Sequence, residues 1–125
     1  MSNEKYEEGL EIRRSVLGSE YVDNAIATAD EFNKPMQELV TEVAWGTIWK
    51  RPGLPRKTRS LLNLAMLSAL NRPHELKLHV RGALNNGVTK EEMQEVFLQV
   101  AVYCGAPAAI DAFRTAREVF SEAED

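Results

Sequence analysis

The chain has 125 residues, of which 44% are hydrophobic and 27% charged, with a net charge of −4. That length fits one domain with a modest core and leaves little room for a second. The lone cysteine, Cys104, excludes an internal disulfide and a Cys-x-x-Cys redox pair, and the overall acidity speaks against a nucleic-acid partner.

The elements read as helices with short punctuated connections, and no run alternates like a strand. Glu4 to Leu17 is a charged amphipathic segment that Gly18 stops. Ser19 is expected to cap a second helix reaching about Glu31. Pro35 suits the first turn of a third helix, running to about Trp49. Arg51-Pro52-Gly53-Leu54-Pro55 is a break. A fourth helix is expected from about Pro55 to Leu70, and a fifth opens at Pro73 and closes at Gly87 in a C′ position. Thr89-Lys90-Glu91-Glu92 has the pattern of a capping box opening a sixth helix to about Cys104. Gly105 and Pro107 are then read as an interruption before a last helix from about Ala108 to Glu122. The fold class is therefore all-α, a single helical bundle of about six to seven helices over residues 1–125.

Leu61 to Leu70 holds only two polar residues in ten, Asn63 and Ser68. A helix apolar nearly all round has to be buried nearly all round, and so short a chain has little with which to cover it. A homo-oligomer is expected. The polar, acidic start lacks the pattern of a signal peptide, and no apolar run approaches the length of a membrane span. A cytoplasmic protein without membrane partners is the expectation.

Charge is unevenly spread. Val43 to His74 contains no acidic residue but six basic ones, Lys50, Arg51, Arg56, Lys57, Arg59 and Arg72. This stretch suits a small anion, or it is a solvated basic loop. Just beyond Arg72, Glu75 and His79 stand at i and i+4 on one face of the fifth helix. Its first turn presents unsatisfied amides and a positive dipole end that favour an anion. One helix start thus gathers a carboxylate-binding arginine, an acid/base histidine and a carboxylate able to orient it; the alternative is a surface ion pair. A metal site is not expected, because His74 and His79 at i, i+5 diverge around the helix. Nor is there a phosphate-binding glycine loop or a serine-nucleophile elbow. Trp45 and Trp49, with Glu42 one turn earlier, form either core packing or an apolar wall for a flat ring beside a carboxylate.

Arg56-Lys57-Thr58-Arg59-Ser60-Leu61-Leu62-Asn63-Leu64-Ala65-Met66, followed by Asn71-Arg72-Pro73-His74-Glu75-Leu76-Lys77-Leu78-His79-Val80-Arg81-Gly82-Ala83, resembles the carboxymuconolactone decarboxylase family. Asn85-Asn86-Gly87-Val88-Thr89, Arg51-Pro52-Gly53-Leu54 and Trp45-Gly46 extend the resemblance over nearly the whole chain. It implies an alkyl hydroperoxidase D-like fold assembled as a ring, commonly a hexamer. It also implies removal of CO2 from 4-carboxymuconolactone to give β-ketoadipate enol-lactone in protocatechuate breakdown. Peroxidase relatives carry two cysteines that fall on Arg72 and Glu75 and a glutamate that falls on Ser60, so a thiol peroxidase has no chemistry to run on here.

The substrate is its own electron sink, so no cofactor is expected. For that reaction His79 is the expected proton donor, because imidazole titrates near working pH, with Glu75 orienting it. Arg72 and Arg59, and more weakly Arg56, are the expected carboxylate ligands. Glu42 would relay a proton or press on the departing carboxylate, His74 would donate to the lactone carbonyl, and Trp45 and Trp49 would wall the pocket. Two other functions fit the residues: a diverged enzyme acting on another small anionic lactone, or a non-catalytic oligomer that binds an acidic metabolite.

Overall fold

A computed structural model describes residues 2–124, with side chains from residue 4 to residue 122. The described residues form seven helices and no strand. They are α1 (Ser2–Leu17), α2 (Ser19–Ala27), α3 (Lys34–Leu39), α4 (Arg56–Ala69), α5 (Pro73–Asn85), α6 (Lys90–Cys104) and α7 (Ala106–Glu124), with α3 running on into a π-helical stretch, Val40–Ile48. The chain divides into two compact units, one up to Pro55 and one from Arg56. No helix among the described residues is long and apolar enough to cross a membrane.

In the first unit α1 packs on the π-helical stretch through glycines. A Cβ on Gly9 would lie 2.0 Å from the Thr41 carbonyl oxygen, and one on Gly46 would lie 2.2 Å from the Lys5 carbonyl oxygen. Only residues without a side chain allow the two backbones so close. Around this crossing Ile12, Val16, Trp45 and Trp49 form a small core, the two indoles stacked at 4.7 Å. The widened turns show in the bonds: the Trp49 amide donates to the Ala44 carbonyl five residues back, at 2.9 Å. The Thr47 hydroxyl likewise donates to the Glu42 carbonyl at 3.1 Å. Arg13 is buried beneath, donating to Gln37 Oε1 at 2.9 Å and Thr41 Oγ1 at 3.1 Å. Burial holds its pKa below the ordinary value.

Three expectations about helix ends are corrected. Ser19 does not cap α2: it is the first helical residue, and Gly18 takes the N-cap at φ 97°, ψ 137°, a conformation open to glycine. The helix stops at Ala27, short of Glu31, because Asp30 and Asn33 close a turn of their own. Asp30 Oδ1 accepts from the Phe32 and Asn33 amides, and Asn33 Oδ1 accepts from the Asp30 amide. Pro107 does not interrupt the last helix, which starts at Ala106; in a first turn the missing N–H costs nothing. Gly105 alone makes that junction, at φ 107°.

The second unit is a four-helix bundle of α4, α5, α6 and α7. Leu64, Leu76, Val80, Phe97, Met93 and Val119 lead its core, with Phe97 set edge-on to Phe113 at 5.4 Å. On α7 the buried residues Ala109, Ala112, Ala116 and Val119 recur at helical spacing, so mostly small side chains face the core. Gly87 ends α5 as expected, at φ 87°, with the Val88 amide on the Ala83 carbonyl and the Gly87 amide on the Leu84 carbonyl. The Thr89–Glu92 capping box opens α6, with bonds of 2.9 and 3.1 Å. Thr89→Ala is expected to lower stability by about 1 kcal/mol in urea titration.

The fourth helix is not buried nearly all round within this chain. Leu64 is fully buried, but Leu62, Met66 and Leu70 are 47%, 52% and 63% exposed. Leu62 and Met66 border an apolar groove of about 440 Å³ between α4 and α6, which Val96, Tyr103 and Cys104 complete.

Candidate active site

The α4–α5 turn sets the site. Asn71 sits in the left-handed region at φ 57°, where asparagine is tolerated better than most residues. The Arg72 amide bonds back to the Leu67 carbonyl at 3.0 Å and the Asn71 amide to the Ser68 carbonyl at 3.2 Å. This double bond-back is a Schellman closure. It leaves Arg72 as the N-cap of α5 and Pro73 in its first turn. The chain reverses, and α5 returns alongside α4.

Two polar pairs then span these helices. The Asn86 amide donates to the hydroxyl of fully buried Ser60 at 2.9 Å. One to two turns along, Asn63 Nδ2 lies 3.4 Å from His79 Nδ1. Arg56, Arg59 and Asn63 follow one another at i, i+3 and i+7 on α4, so one stripe carries two arginines up to the histidine. Arg59, Asn63 and His79 are half-buried; Arg56, Arg72, His74 and Glu75 are exposed.

His79 does not titrate near neutral pH here. Burial pushes its pKa from 6.5 down to about 4, against a smaller upward pull from the Glu75 carboxylate. At pH 7 the ring is therefore neutral, one nitrogen donating and the other accepting. Glu75 acts on it through charge, and Asn63 lies within reach of Nδ1. Sequence reasoning counted Asn63 merely as a polar residue in an apolar helix. A half-buried amide in such a helix needs a partner, and asking for that partner was the available signal.

His74 is exposed in the first turn of α5, about 140° around the helix from His79. Glu42, Trp45 and Trp49 belong to the first unit. Trp45 and Trp49 are 5% and 7% exposed, packed with Ile12 and Val16. Glu42 is half-buried and lines a cavity of about 570 Å³ with Tyr6, Lys34, Gln37 and Glu38. No three His, Cys, Asp or Glu residues among those described are grouped to hold a metal ion.

Residues 34–118 match the carboxymuconolactone decarboxylase family. The chain belongs to that family. Among its relatives is the nitrosuccinic acid decarboxylase of Metarhizium robertsii, 50% identical over 120 residues, which covers 96% of this chain and 84% of the relative. Another is the 4-carboxymuconolactone decarboxylase of Acinetobacter baylyi, 44% identical over 119 residues, covering 95% of this chain and 89% of the relative. Membership in the carboxymuconolactone decarboxylase family makes this chain one of a group of decarboxylases, and the two relatives are named for different substrates. The family match includes both the Arg56–Asn63 stripe and His79.

Proposed function

We propose that the protein decarboxylates a small dicarboxylate that carries its own electron sink, with 4-carboxymuconolactone as the substrate and the enol-lactone as the product. The observation that carries this reading is the α4–α5 seam, where a half-buried neutral histidine on α5 meets Asn63, the residue that shares an α4 stripe with Arg56 and Arg59. In the lactone, the bond to the ring carboxylate breaks as CO2 leaves. The electron pair moves through the ring double bond into the lactone carbonyl, and a proton is then added at ring carbon. A nitrosuccinic acid has the same logic, because its nitro group adjoins a carboxylate-bearing carbon and can hold the pair. The 50% identity to the nitrosuccinic acid decarboxylase makes that acid the second reading.

Arg59, Arg56 and Arg72 suit the carboxylates, since planar guanidinium forks bind them bidentately. Neutral His79 aims an N–H at the oxygen where charge develops, which favours the transition state over the ground state. A bound dianion raises the histidine pKa, so the same ring becomes able to pass on a proton as charge accumulates. Neither step calls on a cofactor. The test is CO2 release from each acid by chelator-treated protein, with the product followed by NMR. Release from the lactone alone supports the first reading, and release from nitrosuccinate alone supports the second. No release from either, with the lactone bound intact, would leave an acidic-metabolite-binding protein.

We also propose a homo-oligomer, a hexamer by family resemblance, in which a second copy covers the α4–α6 groove. Exposed Leu62, Met66, Leu70, Val102 and Tyr103 form an apolar surface that water penalises. Met66→Lys is expected to shift the light-scattering mass toward the monomer, and a monomeric wild type would refute the assembly. The exposed thiol of Cys104 fits a reducing compartment, so the cytoplasm is the proposed location.

A further inference from the structure

We propose that Asn63 is the positioning residue for His79, its side-chain amide holding the imidazole in the tautomer that carries its proton on Nε2. This rests on the reading of His79 as the group that meets developing charge. Asn63 Nδ2 faces His79 Nδ1 across the α4–α5 seam at 3.4 Å. An amide nitrogen donates only, so the facing ring nitrogen must be the acceptor, and in a neutral ring the proton then sits on Nε2. The identity of the other amide atom follows from the neighbourhood. Arg59 lies one turn before Asn63 on the same stripe, and a guanidinium can only donate. An amide with its carbonyl toward that cation and its nitrogen toward the imidazole suits both neighbours.

The two partners are held independently of any ligand. Asn63 is flanked by the packed core residue Leu64, and His79 by Val80, both fully buried. One to two turns away the Asn86–Ser60 bond ties the same two helices together. Two rigid helices therefore present the amide to the ring, as a group set to orient another must be. Glu75, on the turn before His79, is exposed and acts on the ring through its charge. The tautomer matters for the proposed reaction because a protonated Nε2 can donate to an oxygen gaining negative charge. With the proton on Nδ1, Nε2 would present a lone pair to an oxygen gaining negative charge, which repels it.

The test reads the tautomer directly. Protein labelled with 15N-histidine has two histidines to resolve, His74 and His79, and His74→Gln assigns them. Two-bond 1H–15N spectra of ligand-free wild type are expected to show Nδ1 unprotonated and Nε2 protonated at His79. Asn63→Asp, an acceptor only, is expected to move the proton to Nδ1, and Asn63→Leu to leave a mixture. In turnover both variants are expected to lose about tenfold or more in kcat with KM changed much less, the pattern of an interaction used in the transition state. A wild-type spectrum with Nδ1 protonated, or a tautomer unmoved in both variants, would overturn the assignment. The outcomes separate from those of the proposed reaction. The expected tautomer in a protein that releases no CO2 would uphold Asn63 and reject the decarboxylation, whereas His79→Ala with full turnover would reject the role of His79.

Discussion

His79→Ala is expected to retain the fold and lose about 10²–10⁴-fold in kcat, the range for removal of a positioned acid–base group. The ring is half-buried on a helix whose core face is carried by Leu76, Val80 and Ala83, so truncation spares the main packing. Stability against pH gives a second readout that needs no substrate. Burial lowers the folded-state pKa from 6.5 to about 4. Between those values the unfolded chain binds a proton that the folded chain does not. The stability tied to the neutral ring is thus fully present above about pH 6.5 and is lost as pH falls toward about 4. The whole span corresponds to about 3 kcal/mol at most, since one pKa unit is about 1.4 kcal/mol. His79→Gln, which cannot titrate, is expected to lack this part of the acid sensitivity. The comparison is of urea-unfolding free energies for the two proteins at pH 7 and pH 5. Equal losses in both would show that His79 keeps an ordinary pKa, and the neutral-ring chemistry would lose its basis.

Gly9→Ala and Gly46→Ala are expected to lower the stability of the first unit by about 3 kcal/mol or more, the upper end for overpacking. Each new Cβ would meet backbone: the Thr41 carbonyl oxygen at 2.0 Å for Gly9 and the Lys5 carbonyl oxygen at 2.2 Å for Gly46. Backbone cannot swing aside as a flexible side chain does, so α1 and the π-helical stretch would have to separate. That separation would open the stacked Trp45–Trp49 pair and the seat of Arg13 together. Both tryptophans of the chain lie in this unit, so their fluorescence reports its unfolding by itself. Gly53→Ala is the control: nothing lies within 4 Å of its added Cβ. A Gly9→Ala protein with an unchanged fluorescence midpoint would mean the two backbones do not approach so closely.

Much of the architecture was legible in the residues because it rests on local chemistry. The capping box at Thr89, the glycine stop at Gly87 and the break from Arg51 to Pro55 each act within a few residues, so they could be read in place. The all-α class followed from helical spacing with no alternation, and the family resemblance from the run ending at His79. Helix junctions made by a single glycine, at Gly18 and Gly105, were less legible, since a serine or proline alongside looked like the stronger signal.

What the sequence determined by itself was therefore the class of fold, the segments that become helices, and the arginines and histidine proposed to carry the chemistry. The tertiary structure decided how those groups behave. His79 is an ordinary imidazole on paper, and only burial between packed helices drives its pKa to about 4. Asn63 and His79 stand sixteen residues apart, and only the Asn71 turn, which reverses α5 against α4, brings them within 3.4 Å. The π-helical turns of Val40–Ile48 were equally invisible, because they arise where α1 lies on Gly46, across the fold. Protonation state and backbone register depend on which distant groups exclude water or come into contact, and local residue patterns carry no record of either.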